Sequence, residues 1–301
     1  MLNRRSFSRN LAGAALGASA LTRDSNAQGS AAGKAPFQTS VMIWTVFRDL
    51  PFGQRLEKVV EAGYTNVELI GEYHKWSEEE FNRYNAKRKQ LGITFDTTAG
   101  LHHGIGNPAD RDAMLADIRS ELPIMERLDC PSLIVMSGNV VPGMSRETQH
   151  QSCIEGLKRA VALVEGKQIN GQPVRLLVEN IDPEENPKYY LTSVAEGFDI
   201  IRAVNHPQVR FLYDFFHEQI AEGNLIEKLE KNIDYTGLVH IADVPGRHEP
   251  GTGEIHYENI YRKLAQLKYD RMVAMEFLPT ADPVAKLRKA REDALRLGSA
   301  A

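Results

Sequence analysis

Residues 174–179 read Val-Arg-Leu-Leu-Val-Glu, and residues 209–214 read Val-Arg-Phe-Leu-Tyr-Asp. Each segment is a short and nearly continuous apolar run, which is typical of a strand in a parallel sheet that is covered on both faces. Each run leads directly to a carboxylate, and a buried strand carries a charged residue only when something compensates the charge. The two segments therefore predict parallel strands with polar groups at their carboxyl ends.

Six other segments have the same β-rich character, and helical patterns separate them. Amphipathic helices are predicted at 110–128, 146–165 and 283–297. Eight strand-then-helix units over about 260 residues predict a single-domain α/β fold, the (β/α)₈ TIM barrel. A doubly wound open sheet is the alternative, but no Gly-x-Gly-x-x-Gly turn follows the first strand. The predicted strands are 40–45, 66–70, 93–97, 132–136, 174–178, 209–213, 237–241 and 272–277.

Composition and charge exclude several classes of protein. The chain has 301 residues, of which 42 % are hydrophobic and 25 % charged, as in an ordinary globular domain. Lys plus Arg number 36 and Asp plus Glu number 40, and the formal charge of −4 argues against a nucleic-acid partner. Cys130 and Cys153 are too few for a disulfide framework or a thiolate zinc site. No apolar run is long enough for insertion into a membrane.

The first 27 residues have the pattern of an export signal. Arg4 and Arg5 precede Ser-Phe, residues 11–21 are weakly apolar, and Ser-Asn-Ala at 25–27 resembles a cleavage site. Paired arginines followed by Ser-Phe resemble the twin-arginine signal. We therefore expect a periplasmic or secreted protein.

The remaining chain divides into a short leader and one catalytic domain. Residues 28–36 predict a flexible leader, and residues 37–301 predict the barrel. Removal of residues 1–27 would take away four Arg and one Asp, so that the mature chain would carry a charge of −7. This charge also disfavours an abasic-site endonuclease, which shares the barrel but would need a basic surface for DNA.

Four consecutive predicted strands lead to a residue of metal-ligand type, namely Glu179, Asp214, His240 and Glu276. Barrel active sites form where the carboxyl ends of the strands meet. Three carboxylates that converge there would repel one another unless a cation neutralised them. The set predicts one divalent metal ion, Mn²⁺, Mg²⁺, Co²⁺ or Zn²⁺. The alternative is four independent helix caps or salt bridges.

Other polar residues lie near the same strand ends. His217 follows Asp214 by three residues, and a Gly- and Pro-rich loop after His240 carries Arg247. Three further residues are candidate substrate contacts: Glu185 after the fifth predicted strand, Glu68 in the second and His102 after the third. A structural salt bridge is an equal alternative for Glu68.

Residues 240–255, His-Ile-Ala-Asp-Val-Pro-Gly-Arg-His-Glu-Pro-Gly-Thr-Gly-Glu-Ile, resemble the signature loop of the hydroxypyruvate isomerase family. That family belongs to the xylose-isomerase-like TIM barrels. Val-Glu-Asn-Ile at 178–181, Tyr-Asp-Phe-Phe-His-Glu-Gln at 213–219 and Met-Glu-Phe at 275–277 follow in matching order, and the similarity covers 38–298.

The resemblance implies specific roles for these residues. The four strand-end residues would bind one divalent metal ion, and Glu179 and Glu276 would also flank the substrate as an acid/base pair. His217 and Arg247 would contact the substrate's oxygens. His240 is a departure, because Gln occurs at this position in hydroxypyruvate isomerases and His in ketose 3-epimerases of the same superfamily.

The resemblance and the predicted site together indicate a metal-dependent isomerase of small α-hydroxy carbonyl compounds. The expected reaction is aldose–ketose isomerisation by proton transfer through an enediolate. A ketose 3-epimerase and a keto-sugar dehydratase or lyase are alternatives on the same metal site, and a non-catalytic sugar-binding protein is a further one. The expected partner is a small carbonyl or sugar substrate, and a homo-oligomer is left open.

Overall fold

The computed structural model describes residues 34–300. The predicted export signal, residues 1–27, and residues 28–33 of the predicted leader lie outside this range. Ala35, at the end of the predicted leader, is buried. None of the helices within the described range is long and apolar enough to cross a membrane.

Eight parallel strands form a closed barrel, which confirms the predicted fold. Each strand pairs with the next along the chain, and the last pairs with the first. A separate hairpin of two short antiparallel strands, Gln168–Ile169 and Gln172–Pro173, lies outside the barrel. The barrel strands are β1 Gln38–Met42, β2 Asn66–Leu69, β3 Thr94–Thr98, β4 Ser132–Met136, β5 Arg175–Glu179, β6 Val209–Asp214, β7 Thr236–Ile241 and β8 Met272–Met275.

Helices connect the strands on the outside of the barrel, and their buried faces pack on the strands. Short 3-10 turns at Ile43–Thr45, Glu72–Lys75, Pro108–Asp110 and Ile233–Tyr235 complete the connections. The α-helices of the described range are α1 Phe52–Glu61, α2 Glu78–Gln90, α3 Arg111–Leu128, α4 Arg146–Val164, α5 Val194–Val204, α6 Phe215–Ala221, α7 Leu225–Asn232, α8 Tyr257–Gln266 and α9 Pro283–Gly298.

The first and last predicted strands are shorter in the structure than in the sequence pattern. β1 ends at Met42, and the apolar residues that follow form a 3-10 turn. The Thr45 hydroxyl donates to the carbonyl oxygen of Met42 at 2.9 Å, which turns the chain out of the sheet. β8 ends at Met275, so Glu276 directly follows the strand instead of lying inside it.

A small apolar cluster fills the inside of the barrel and fixes the direction of the strand ends. Because side chains alternate along a strand, a residue two positions after an inward-facing one also faces inward. Leu177, Leu212, Leu238 and Ala274 belong to this cluster. Each lies two residues before one of the four candidate ligands, so the four ligands also point into the barrel.

Candidate active site at the carboxyl ends of the strands

The structure brings the four candidate ligands together. Glu179, Asp214, His240 and Glu276 are all buried, and each offers one ligand atom within 4.8 Å of the others. His240 Nδ1 lies 2.8 Å from Glu276 Oε2, 3.5 Å from Glu179 Oε1 and 3.9 Å from Asp214 Oδ2. Three carboxylates thus surround a single imidazole nitrogen.

The hydrogen bonds of this cluster leave a gap that a cation would fit. His240 Nε2 is hydrogen-bonded to Glu68 Oε2 at 2.9 Å, so Nδ1 is the ring nitrogen that faces the three carboxylates. Among the described residues, the buried His240 Nδ1 has no hydrogen-bond partner, and Glu276 Oε2 has ion-pair contacts with His240 and Arg247 but no aligned hydrogen bond. Buried polar atoms are normally satisfied. A donor set of three carboxylate oxygens and one imidazole nitrogen therefore fits a divalent cation.

Glu68 lies behind His240 and does not line the cavity that opens above the cluster. Its side chain is fully buried and its carboxylate bonds to the imidazole. The prediction of a substrate contact is therefore replaced by the alternative, a structural pair with His240. The sequence could not distinguish the two, because the partners are 172 residues apart.

Asp214 caps the helix that follows it with one carboxylate oxygen and faces the cluster with the other. Its Oδ1 accepts the backbone N–H of Phe216 at 2.7 Å and of His217 at 3.2 Å, which caps α6. Its Oδ2 lies 3.5 Å from His217 Nε2 and 3.7 Å from Arg247 Nη2. The helix-cap reading of this residue is therefore correct, and it leaves the second oxygen for the cluster.

The ionisable groups of the cluster have displaced pKa values. Burial raises the pKa of Glu179. Burial also raises the pKa of Glu276, but the charges of Arg247 and His240 outweigh it and hold that pKa well below its usual range. Burial lowers the pKa of His240, and the carboxylates of Glu68 and Glu276 outweigh this effect and raise it well above normal. The two glutamates thus have different environments.

Arg247 joins the predicted substrate contacts to the cluster. Its Nη2 lies 2.8 Å from Glu276 Oε2, and its Nη1 donates to Glu185 Oε2 at 2.9 Å. The same Nη1 lies 3.4 Å from His217 Nε2. The structure therefore brings Arg247, His217 and Glu185 together beside the four candidate ligands.

Asp182 is a site residue that the sequence analysis missed. Its Oδ2 lies 2.6 Å from His217 Nδ1, and its Oδ1 accepts the backbone N–H groups of Glu184 and Glu185. Burial lowers the pKa of His217, but the charge of Asp214 and the bond to Asp182 raise it to about 8. The loop after β5 is thus tied to α6 through one buried carboxylate.

The loop after β7 is organised by Asp243, which the sequence analysis also missed. The buried carboxylate of Asp243 accepts the backbone N–H groups of Val244, Gly251, Gly253 and Ile255. A side chain at position 253 would place its Cβ 2.0 Å from the carbonyl oxygen of Val244, so only glycine fits there. This scaffold presents Arg247, in a left-handed conformation with φ of 56°, to the cluster.

A cavity of about 550 Å³ opens above the cluster. Glu179, Glu276, His217, Arg247 and Glu185 line it on the side of β5 to β8, and His102 lines it on the opposite side. Trp44, which the sequence analysis did not select, donates from Nε1 to Glu276 Oε1 at 2.9 Å. His74 and several apolar side chains complete the lining, among them Met42, Ile134, Met136 and Ile181.

Comparison with known proteins agrees with this architecture. Residues 56–297 match the family model described as "Xylose isomerase-like TIM barrel". The chain is 30 % identical to a 2-oxo-tetronate isomerase of Haemophilus influenzae over 247 residues, which is 80 % of this chain and 93 % of that protein. It is 27 % identical to the hydroxypyruvate isomerase of Escherichia coli over 248 residues, 81 % of this chain and 94 % of the other.

A solved structure gives the same picture of the fold. A protein from Brucella melitensis described as an AP endonuclease, family 2, aligns with a TM-score of 0.74 and 25 % identity, covering 83 % of this chain and 96 % of that one. The resemblance found in the sequence is thus confirmed: the chain belongs to the xylose isomerase-like TIM barrel family, and its relatives identify it as an isomerase.

Proposed function

We propose that this isomerase depends on a divalent metal ion and acts on small α-hydroxy carbonyl acids. The observation that supports the metal is the convergence of four buried ligand atoms within 4.8 Å, one of which, His240 Nδ1, has no hydrogen-bond partner among the described residues. The substrate class comes from the relatives, which are named for 2-oxo-tetronate and hydroxypyruvate. Both compounds have a carbonyl at C2, a hydroxyl at C3 and a carboxylate at C1.

In this proposal Glu179, Asp214, His240 and Glu276 hold the ion. A bound divalent cation would supply Lewis-acid polarisation of the substrate's carbonyl and hydroxyl oxygens and so make the adjacent C–H more acidic. Elemental analysis of the isolated protein would identify the metal. Glu68 fixes the ring of His240 so that Nδ1 remains available as a ligand.

Glu179 and Glu276 are the proposed acid and base. One carboxylate removes the proton from C3 to give an enediolate, and a proton is returned to C2. The hydroxyl proton moves from the C3 oxygen to the C2 oxygen, so the C2 carbonyl becomes a hydroxyl and the C3 hydroxyl a carbonyl. Burial raises the pKa of Glu179, which suits a residue that must accept a proton. Trp44 and Arg247 hold the two oxygens of Glu276.

His217 and Arg247 are proposed to contact the substrate's oxygens. Both are buried, both line the cavity, and both lie beside Asp214 Oδ2. Asp182 holds His217 from behind, and Glu185 holds Arg247, so both donors are oriented before substrate arrives. Glu185 itself is a partner of Arg247 at the edge of the cavity, where its side chain is 40 % exposed.

A ketose 3-epimerase and a keto-sugar dehydratase or lyase would use the same first step. The test is incubation of the pure protein in D₂O with hydroxypyruvate, a four-carbon 2-oxo acid and neutral ketoses. We expect solvent deuterium at C2 of an aldehyde product from hydroxypyruvate. Deuterium at a carbon whose configuration has inverted, in a compound with otherwise unchanged bonds, would instead identify an epimerase. Loss of water would identify a dehydratase.

We also propose that the protein is exported by the twin-arginine route to the periplasm or beyond. The support is the order of the three signal parts in residues 1–27, with Arg4 and Arg5 ahead of Ser-Phe. This route transports folded proteins, which is compatible with an enzyme that folds around a metal ion before export.

A further inference from the structure

The half of the barrel opposite the carboxylates contains an imidazole with a buried counter-charge. His74 lies in the 3-10 turn Glu72–Lys75 after β2, and it lines the same cavity as Glu179 and Glu276. Its Nε2 is hydrogen-bonded to Oε1 of Glu121, a residue of α3 that is only 4 % exposed. The mechanism proposed above makes no use of this pair.

The surroundings of Glu121 direct one of its oxygens to Tyr73 and the other to His74. Oε2 of Glu121 accepts the hydroxyl of Tyr73 at 2.8 Å, and that hydroxyl accepts from Thr98 Oγ1 at 2.8 Å. Among the described residues, His74 is the one ionic partner of Glu121, and no Lys or Arg reaches it. Glu121 thus holds the ring of His74 through Nε2 from behind the cavity wall.

The backbone around His74 leaves room for the ring at the cavity wall. A Cβ at Gly100 would lie 2.7 Å from His74 Cε1, and a Cβ at Gly71 would lie 3.2 Å from His74 Nδ1. Nδ1 has no hydrogen-bond partner among the described residues, and the side chain is 29 % exposed. One ring nitrogen is thus held by Glu121, and the other remains for a ligand.

His102 lies beside His74 at the same wall. The two ring centroids are 6.0 Å apart. Asp117 accepts the backbone N–H groups of His102 and His103, which fixes the loop after β3. The ring of His103 turns away to Asp117, at 2.9 Å, whereas His102 lines the cavity.

Charge decides which end of the cavity suits an anionic group. The side formed by β5 to β8 already holds Glu179, Asp214 and Glu276, and the nearby Arg247 is paired with Glu276 and Glu185. The carboxylate of a substrate placed there would meet these like charges at close range. At the wall formed by His74 and His102, the substrate's carboxylate would meet imidazole hydrogen-bond donors, and no other carboxylate lines that wall among the described residues.

We propose that His74 and His102 bind the carboxylate of the substrate, and that Glu121 positions His74 for this task. The inference rests on the proposed function and extends it, because it makes His74 the residue that selects a 2-oxo acid over a neutral ketose. With the C2 and C3 oxygens toward the metal ligands, the C1 carboxylate of such an acid extends toward the opposite wall. Arg247 then serves the reacting oxygens and does not bind the carboxylate.

The test compares an acid with its neutral counterpart in matched variants. The variants are His74→Gln and His102→Gln, with His103→Gln as control in the same loop. Hydroxypyruvate is compared with dihydroxyacetone, which carries CH₂OH in place of the carboxylate and is measured as a substrate or as a competitive inhibitor. For His74→Gln we expect KM for hydroxypyruvate to rise about tenfold or more, as for loss of one charge-assisted hydrogen bond, with kcat within about threefold.

Dihydroxyacetone and the control give the specificity of the effect. His74→Gln should change the KM or the inhibition constant of dihydroxyacetone by less than about twofold. His103→Gln should leave the constants of both compounds unchanged. Glu121→Gln keeps the acceptor for Tyr73 and removes the counter-charge, so it should raise KM for hydroxypyruvate alone. An unchanged KM in His74→Gln, or an equal loss for both compounds, overturns the inference.

Calorimetric titration of hydroxypyruvate separates this inference from the proposed function. If the wild-type protein binds hydroxypyruvate without converting it, and His74→Gln weakens binding tenfold, the carboxylate site stands and the proposed reaction is wrong. If the wild-type protein converts hydroxypyruvate and His74→Gln binds it normally, the reaction stands and the carboxylate site is wrong. Circular dichroism of each variant establishes that it is folded.

Discussion

Glu68 Oε2 accepts the Nε2 proton of His240 at 2.9 Å, from the side of the imidazole that faces away from the other three candidate ligands. This bond orients the ring so that Nδ1 lies 2.8 Å from Glu276 Oε2. Two acceptors at such a distance repel one another unless a cation lies between them or one of them gains a proton. The relationship supports the proposed metal site.

Glu68→Gln tests that relationship. The amide keeps the size of the side chain but loses the charge that holds His240, so we expect affinity for the metal ion to fall about 10- to 100-fold. Competition with a metal-sensitive chelator measures this change. Glu121→Gln is the control, because it removes another buried carboxylate that bonds to a histidine outside the ligand set. Equal affinity in Glu68→Gln and the wild type would contradict the proposed part of Glu68.

The metal itself gives a second prediction. We expect the isolated protein to contain about one divalent ion per chain, and chelator to remove both ion and activity. Asp214→Asn with His240→Ala should weaken binding severely, since it removes the imidazole ligand and one carboxylate charge while the Asn still caps α6. Elemental analysis measures the ion content, and full occupancy in this double variant would show that the site lies elsewhere.

Glu179→Gln and Glu276→Gln separate metal binding from proton transfer. An amide retains an oxygen for the ion but cannot accept the proton, so turnover should fall about 10²- to 10⁴-fold while metal affinity falls only modestly. The measurement is kcat together with exchange of the substrate's C–H in D₂O. Exchange that survives in one variant without net conversion would mean that this variant lacks only the second transfer. Near-normal turnover in both variants would end the proposed acid/base role.

Glu249 gives a prediction about pH and stability. Its Oε1 lies 2.6 Å from Lys286 Nζ and 2.5 Å from Thr280 Oγ1, which ties the loop after β7 to the segment that enters α9. Burial raises the pKa of Glu249, but the bonds to Lys286 and Thr280 outweigh it and lower the pKa to about 2. Because the folded-state pKa is depressed, this stabilisation is complete above the unfolded-state pKa and disappears as the pH falls through the folded-state value.

Glu249→Gln should therefore lower the free energy of unfolding by about 1–3 kcal/mol at neutral pH, the range for loss of a charged hydrogen-bond partner. Chemical denaturation from pH 7 downward should show the difference from the wild type shrinking from about pH 4.5 toward about pH 2. Exposed Glu292→Gln is the control and should change stability by less than about 0.5 kcal/mol. A difference that grows on acidification would contradict the assigned pKa direction.

The export proposal predicts a change of compartment. Replacement of Arg4 and Arg5 together by Lys should leave the precursor in the cytoplasm, because the twin-arginine route requires the arginine pair. Fractionation followed by immunoblotting measures the periplasmic yield. Arg23→Lys, which changes an arginine outside the pair, is the matched control. An unchanged periplasmic yield of the double variant would contradict this route.

The fold and the four candidate ligands could be predicted from the sequence because both depend on local periodicity. Eight apolar runs separated by helical patterns leave few topologies other than a closed parallel barrel. Along a strand the side chains alternate, so the spacing between Leu177 and Glu179, or between Leu238 and His240, already decides that the polar residue shares the inward face. The convergence of the four ligands then follows from closure of the barrel.

Only the tertiary structure decided which polar side chains meet, because those pairs come from distant parts of the chain. Glu68 and His240 are 172 residues apart, and His74 and Glu121 are 47 apart. No local pattern distinguishes a glutamate that supports a ligand from one that contacts substrate. Strand register, barrel closure and the packing of α3 and α6 against the strands place these carboxylates behind the imidazoles. The sequence thus determined the inward face of each strand, whereas packing determined the partners, since a buried charge is stable only where the fold supplies its counterpart.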